Sequence, residues 1–192
     1  MLDERADWDR KENGKWWGRL DESYDGTFFI GAHAMAGTIN GFLDHTQSSV
    51  SWFEYRINRR RCGELAQWAT VAGGFGVPML MISGDAAACA EAREFFDPIE
   101  TASVKQGVGR NAAIALPEEE ARALIREKAK QAVLLVGRAK PFRPILPMEI
   151  RITYNRSDYC DAVAKRDGWE RLDARTVRKV TDDPFAILPW KT

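Results

Sequence analysis

Short apolar runs, polar turns and amphipathic stretches alternate along this chain. Residues 1 to 23 carry Trp8, Trp16 and Trp17 among many charges with little periodicity, an irregular lead-in to a domain over 24–192. Thr27-Phe28-Phe29-Ile30-Gly31 is a brief apolar run closed by glycine, the pattern of a strand buried on both faces. Residues 49–57 alternate partly and are rich in β-branched and aromatic side chains, so they predict a strand leading into a turn at Asn58-Arg59-Arg60-Arg61. Over 62–72, Leu65, Trp68, Ala69 and Ala72 recur at helical spacing before Gly73-Gly74-Phe75-Gly76 stops the helix. A continuous apolar strand over 77–83 then passes through Gly84-Asp85 into a helix over 86–96, and a further strand follows at 99–105.

The clearest helix is predicted over 117–136. Pro117 suits its first position, Glu118, Glu119 and Glu120 suit its positive end, and Glu118 can pair with Arg122 one turn on. Its apolar face is Ala121, Leu124, Ile125, Ala132 and Leu135. A proline-rich connector at 140–147 offers a boundary between two subdomains, and beyond it come an alternating strand over 148–154, a short helix over 158–165, a strand over 176–180 and a terminal helix over 183–188. This succession predicts an α/β fold with a mixed or mainly parallel sheet flanked by helices.

Composition narrows the functional classes. A chain of 192 residues, 45% hydrophobic, buries a core of its own. Lys plus Arg and Asp plus Glu both total 28, so no global field concentrates nucleic acid or an anionic membrane, and the arginine triplet reads as a solvated turn. The charged amino terminus has no signal-peptide core and no stretch is long enough to span a bilayer, so a cytoplasmic protein is expected. Cys62, Cys89 and Cys160 are widely spaced with no C-x-x-C pair, which predicts reduced thiols and excludes a structural zinc finger. Cys62 reads as a small apolar residue opening a buried helix rather than as a nucleophile.

Chemistry concentrates in one stretch. The chain's only two histidines, His33 and His45, lie near Glu64 in glycine-flanked segments, and imidazole suits both metal ligation and proton transfer. Spacing alone leaves two readings open: a metal or catalytic site, or hydrogen-bonded histidines beside a carboxylate that a helix amino terminus favours in any case. His33 falls just past the carboxyl end of a predicted strand, where ligands gather in open α/β sheets. Gly107-Val108-Gly109-Arg110-Asn111-Ala112 fits a dinucleotide fingerprint in letters but fails in context, because Pro117 leaves no helix for a pyrophosphate to meet. P-loop, G-x-S-x-G and H-E-x-x-H motifs do not occur.

The ordered motifs are more specific. F-F-I-G-x-H-A-M-A-G-T from Phe28, L-D-H-T-x-S-S from Leu43, R-I-N at Arg56, G-E at Gly63, F-G-V-P at Phe75, S-G-D at Ser83 and E-T-x-x-V-K with G-R from Glu100 follow one another. In this order the chain, from about Tyr24 onward, closely resembles the carboxyl-terminal two-thirds of the zinc D-aminopeptidase family of metallopeptidases. The resemblance implies a two-part α/β fold, a binuclear zinc centre, removal of amino-terminal residues, often D-amino acids, from short peptides, and a ring-like homo-oligomer. Residue by residue it implies that His33 and Glu64 are metal ligands and His45 the catalytic histidine. Asp44 is a candidate to orient His45, and Lys105 and Arg110 are candidates to hold a peptide carboxylate or stabilise developing negative charge.

This chain departs from the family pattern in two places. The family's first strand carries an acidic D-x-E pair and a later N-D-S-H segment adds a histidine ligand; neither occurs here, and Asp3, Glu4, Asp7 and Asp9 sit in a charged, non-strand context. Two protein ligands do not make a binuclear centre, since even one catalytic zinc usually takes about three. The expected fold is the family's without its first strands, with an apolar sheet edge left open. The expected function is a zinc-dependent aminopeptidase acting on small peptides, set against a catalytically inactive, truncated oligomerisation or binding module of the same family. A separate polypeptide carrying D-x-E is a third source for the missing ligands.

Overall fold

The computed structural model describes residues 3–6 and 15–189. Two sheets share one helix. The first has the order β1-β4-β5-β6, from β1 (Thr27–Ala32), β4 (Met79–Asp85), β5 (Glu100–Gly109) and β6 (Ala112–Ala115). β1, β4 and β5 run parallel, and β6 folds back on β5 as an antiparallel hairpin. The continuous apolar run becomes β4, buried along its whole length between two neighbours and two helical layers. On one face α1 (Glu64–Gly74) and α2 (Ala86–Phe95) bury Leu65, Ala69, Ala88 and Ala92 against Met79 and Ile82. On the other, α3 (Glu118–Val133) and the turn after it set Ala132 and Leu135 against Leu80, Met81 and Ala102.

The second sheet is antiparallel, in the order β3-β2-β7-β9-β8, from β2 (Trp52–Ile57), β3 (Arg60–Arg61), β7 (Met148–Tyr154), β8 (Glu170–Arg171) and β9 (Thr176–Thr181). Alternate residues of β7, Met148, Ile150, Ile152 and Tyr154, point into a core with Ala66 and Val71 of α1 and Cys160 and Val163 of α4 (Ser157–Val163). α1 therefore feeds both cores, Leu65 and Ala69 one way and Ala66 and Val71 the other, which explains its apolar residues all round. Its first residue is Glu64.

Several expectations change. The mixed sheet is present, but 52–57 and 148–181 build a sheet of their own, in which β2 from before the proline-rich connector pairs with β7 from after it. β1 is not buried on both faces: Phe28 is 38% and Ile30 58% exposed, because among the described residues β1 pairs only with β4. Among the described residues, then, the outer edge of β1 has no strand beside it. Residues 183–188 turn without forming a helix; Asp183 Oδ1 accepts the Phe185 N–H at 2.8 Å, and Ile187 and Leu188 are buried, with the Tyr55 hydroxyl donating to Ile187 O at 2.9 Å. Gly107 to Ala112 forms the β5–β6 hairpin, no phosphate loop. Trp8, Asp7 and Asp9 of the lead-in lie outside the described residues.

Candidate metal centre

Strand β1 delivers the chain to His33. Ala32 pairs with Gly84 of β4, an approach so close that a Cβ on Gly84 would lie 2.1 Å from Ala32 O. Beyond it, 33–50 is irregular, and its backbone is held by side chains. Ala36 N–H donates to Thr46 Oγ1 at 3.2 Å, Gly37 N–H to Asp44 Oδ2 at 2.6 Å, and His45 N–H to Ala34 O at 3.3 Å, tying the two histidine segments together. Asp85, which caps α2 through Ala88 N–H, accepts the Phe42 N–H at 2.8 Å with its other oxygen. Leu43 adopts φ 56°, a left-handed conformation that costs about 1 kcal/mol or more for a branched side chain, and its carbonyl is the one His45 meets.

Both imidazoles have their orientation set by backbone. His33 Nδ1 is 3.1 Å from Ala34 O and His45 Nδ1 is 2.7 Å from Leu43 O. A carbonyl only accepts, so each Nδ1 carries a proton, and in the neutral tautomer the Nε2 lone pair points the other way. Those lone pairs converge on one carboxylate oxygen: Glu64 Oε1 is 3.6 Å from His33 Nε2 and 3.7 Å from His45 Nε2. The rings stack with centroids 3.8 Å apart, 16° from parallel. One ligating atom from each of the three residues lies within 4.8 Å of the others. Electron-rich atoms gathered this closely repel unless a cation or a proton sits among them, and two imidazoles with a carboxylate are an ordinary zinc donor set. The residues fit the metal.

The other sequence candidates do not join this cluster. Asp44 serves the loop through Gly37 and faces Arg110 Nε at 3.5 Å, while Leu43 O takes the orienting contact with His45. Arg110 lies in the β5–β6 turn beside Asp44, whereas Lys105 Nζ lies over the Phe42 ring, 5.3 Å from its centroid. The three cysteines are buried free thiols; burial pushes Cys62 up to about 12 and Cys89 up to about 11, which suppresses the thiolate.

Two supports escape sequence reasoning. Gln47 N–H donates to Glu64 Oε1 at 2.8 Å, and its side chain donates to Gln67 Oε1 at 2.7 Å. Glu91 of α2, only 6% exposed, accepts the Met35 N–H at 2.8 Å through Oε2, while Oε1 has no partner among the described residues. A Cβ on Gly63 would stand 2.7 Å from that Oε1, so Glu91 braces both the histidine loop and the start of α1. Burial raises Glu91 from 4.5 to about 7. Its proton is held more tightly folded than unfolded, so its contribution is full below 4.5 and is lost as pH rises through about 7. Glu91→Gln removes that loss, on the order of 3 kcal/mol. In thermal unfolding its advantage over wild type is expected to grow from about pH 5 to 8; a difference that stays flat with pH would contradict this.

The D-aminopeptidase family model matches residues 15–191. A D-aminopeptidase of Bacillus subtilis (strain 168) is 35% identical over 146 residues, which are 74% of this chain and 52% of the relative. The solved structure of the zinc-dependent D-aminopeptidase DppA from Bacillus subtilis, a self-compartmentalizing protease, aligns with a TM-score of 0.82 at 31% identity, covering 87% of this chain and 61% of that one. The chain spans about half the length of the curated relative it matches. The family model covers most of the chain and the fold aligns with a solved relative over 87% of its length, so this chain belongs to the D-aminopeptidase family.

Proposed function

We propose that this chain acts as a zinc-dependent aminopeptidase on short peptides with amino-terminal D residues, with His33 and Glu64 as metal ligands and His45 as the catalytic group. The observation that carries the reading is the convergence of His33 Nε2, His45 Nε2 and Glu64 Oε1 at one point, each held from behind by backbone. A bound zinc ion supplies Lewis acidity at a peptide carbonyl and makes water a stronger acid near neutral pH. The chain's own groups do the rest. His33 and Glu64 provide lone pairs, and Gln47 N–H fixes the oxygen that Glu64 presents. His45, anchored through Nδ1, keeps Nε2 open to take a proton and return it to the leaving amine.

A specific observation favours a second assignment: His45 Nε2 is as close to Glu64 as His33 Nε2 is, so His45 suits the place of third donor to a single zinc. A binuclear centre needs more donors than this cluster holds among the described residues. The self-compartmentalizing relative supports self-association of this chain as well. No helix among the described residues is long and apolar enough to cross a membrane.

The test is hydrolysis of D-alanyl-glycine and L-alanyl-glycine by the zinc-supplemented chain. Turnover of the D peptide is expected to exceed that of the L peptide by about tenfold or more and to cease with a chelator. Absence of turnover with either peptide would leave a binding or oligomerisation module in place of an enzyme.

A further inference from the structure

His45 forms one wall of a second feature. Between β2, β3, the 36–45 loop and the β5–β6 turn lies a pocket of about 190 Å³ that also meets Asp44, Arg61 and Arg110, with Trp52 and Phe53 on its apolar side. The volume is below the roughly 300 Å³ at which small-molecule sites usually begin, which is room for a terminal residue and not for a long chain.

Its charge is unbalanced. Asp44 is the one acid on the wall, and its oxygens are engaged, Oδ2 by Gly37 N–H and Oδ1 facing Arg110. Arg61 is tethered by Nε to Glu54 at 3.1 Å and by Nη2 to Ala36 O at 2.8 Å; Arg110 is tethered by Nη1 to Asn111 Oδ1 at 3.1 Å. A guanidinium has about five N–H donors in a planar fork, more than these contacts use. Both side chains stay half exposed, 45% for Arg61 and 46% for Arg110. Two oriented forks beside an apolar wall match a carboxylate on a small apolar stem.

We propose that this pocket receives the carboxyl-terminal carboxylate of a very short peptide, with Arg110 and Arg61 as the specificity-determining donors that limit substrates to free dipeptides and their like. The proposal rests on the aminopeptidase reading, since it sets the peptide's far end one residue from the group assigned to chemistry at His45. An amide at that end removes the charge both forks recognise.

Calorimetric titration of the full chain separates the possibilities, using D-alanyl-glycine, its carboxyl-terminal amide, and the amide of D-alanyl-aspartate, which keeps only a side-chain carboxylate. The free dipeptide is expected to bind about tenfold to hundredfold tighter than either amide. Arg110→Gln is expected to bring the free dipeptide down to the affinity of its amide, with Arg61→Gln acting in the same direction. Equal binding of acid and amide, binding of the aspartate amide as tight as the free dipeptide, no binding of any peptide, or a preference that survives both substitutions would each overturn the pocket. Zinc uptake and turnover are read on the same samples. Zinc-dependent turnover without preference for the free acid overturns the pocket alone; preference for the free acid without zinc uptake or turnover overturns the metallopeptidase reading alone.

Discussion

His45→Ala is expected to lower peptide turnover by about 10³-fold while the chain keeps its zinc. The ring contributes to the site through Nε2, and the loop that carries it is held without it: Ala36 N–H on Thr46, Gly37 N–H on Asp44 and Phe42 N–H on Asp85 all remain. Removing the imidazole therefore deletes a proton carrier and a stacking partner of His33 without releasing the segment. Steady-state kinetics and metal content on one preparation check it. Zinc lost together with turnover would make His45 the third ligand, and turnover retained would remove it from the chemistry.

Gly84→Ala is expected to destabilise the fold strongly. Its Cβ would lie 2.1 Å from Ala32 O, 2.9 Å from Ala32 C and 3.1 Å from Ala32 N. All three are backbone atoms, so no side chain can rotate away, and β1 must move off β4 at the pair where they meet. A cost of about 3 kcal/mol follows, a fall in Tm of roughly 6–12 °C for a chain of this size. Because Ala32 immediately precedes His33, zinc affinity falls too. Gly109→Ala is the control: a Cβ there meets nothing within 4 Å, and its Tm is expected to stay at the wild-type value. Equal Tm values for the two variants would contradict the close packing of β1 on β4.

What the chain reveals before folding follows from what is local. β4 and α3 announce themselves by an unbroken apolar run and by a proline-led, acidic first turn, because each signal lies within or next to the element itself. Sheet membership does not, since β2 and β7 pair across almost a hundred intervening residues. The strict alternation of β7 was a signal that it is half-buried and antiparallel, unlike the continuous run of β4. Residues 183–188 have local helical character, yet burial of Ile187 and Leu188 and the Tyr55 contact hold them in turns. The convergence of His33, His45 and Glu64 was legible from residue type and motif. Gln47 was not, because it acts on Glu64 through a backbone N–H that any residue but proline provides. Glu91 was not, because an acid in a charged helical stretch looks solvated until its burial is seen.

The zinc content of four purified chains tests the metal centre most directly. Titration near neutral pH is expected to show about one zinc per chain for wild type and for His45→Ala, with most of that uptake lost in His33→Ala and in Glu64→Ala. Uptake that survives unchanged in both His33→Ala and Glu64→Ala would place the metal elsewhere and contradict the site.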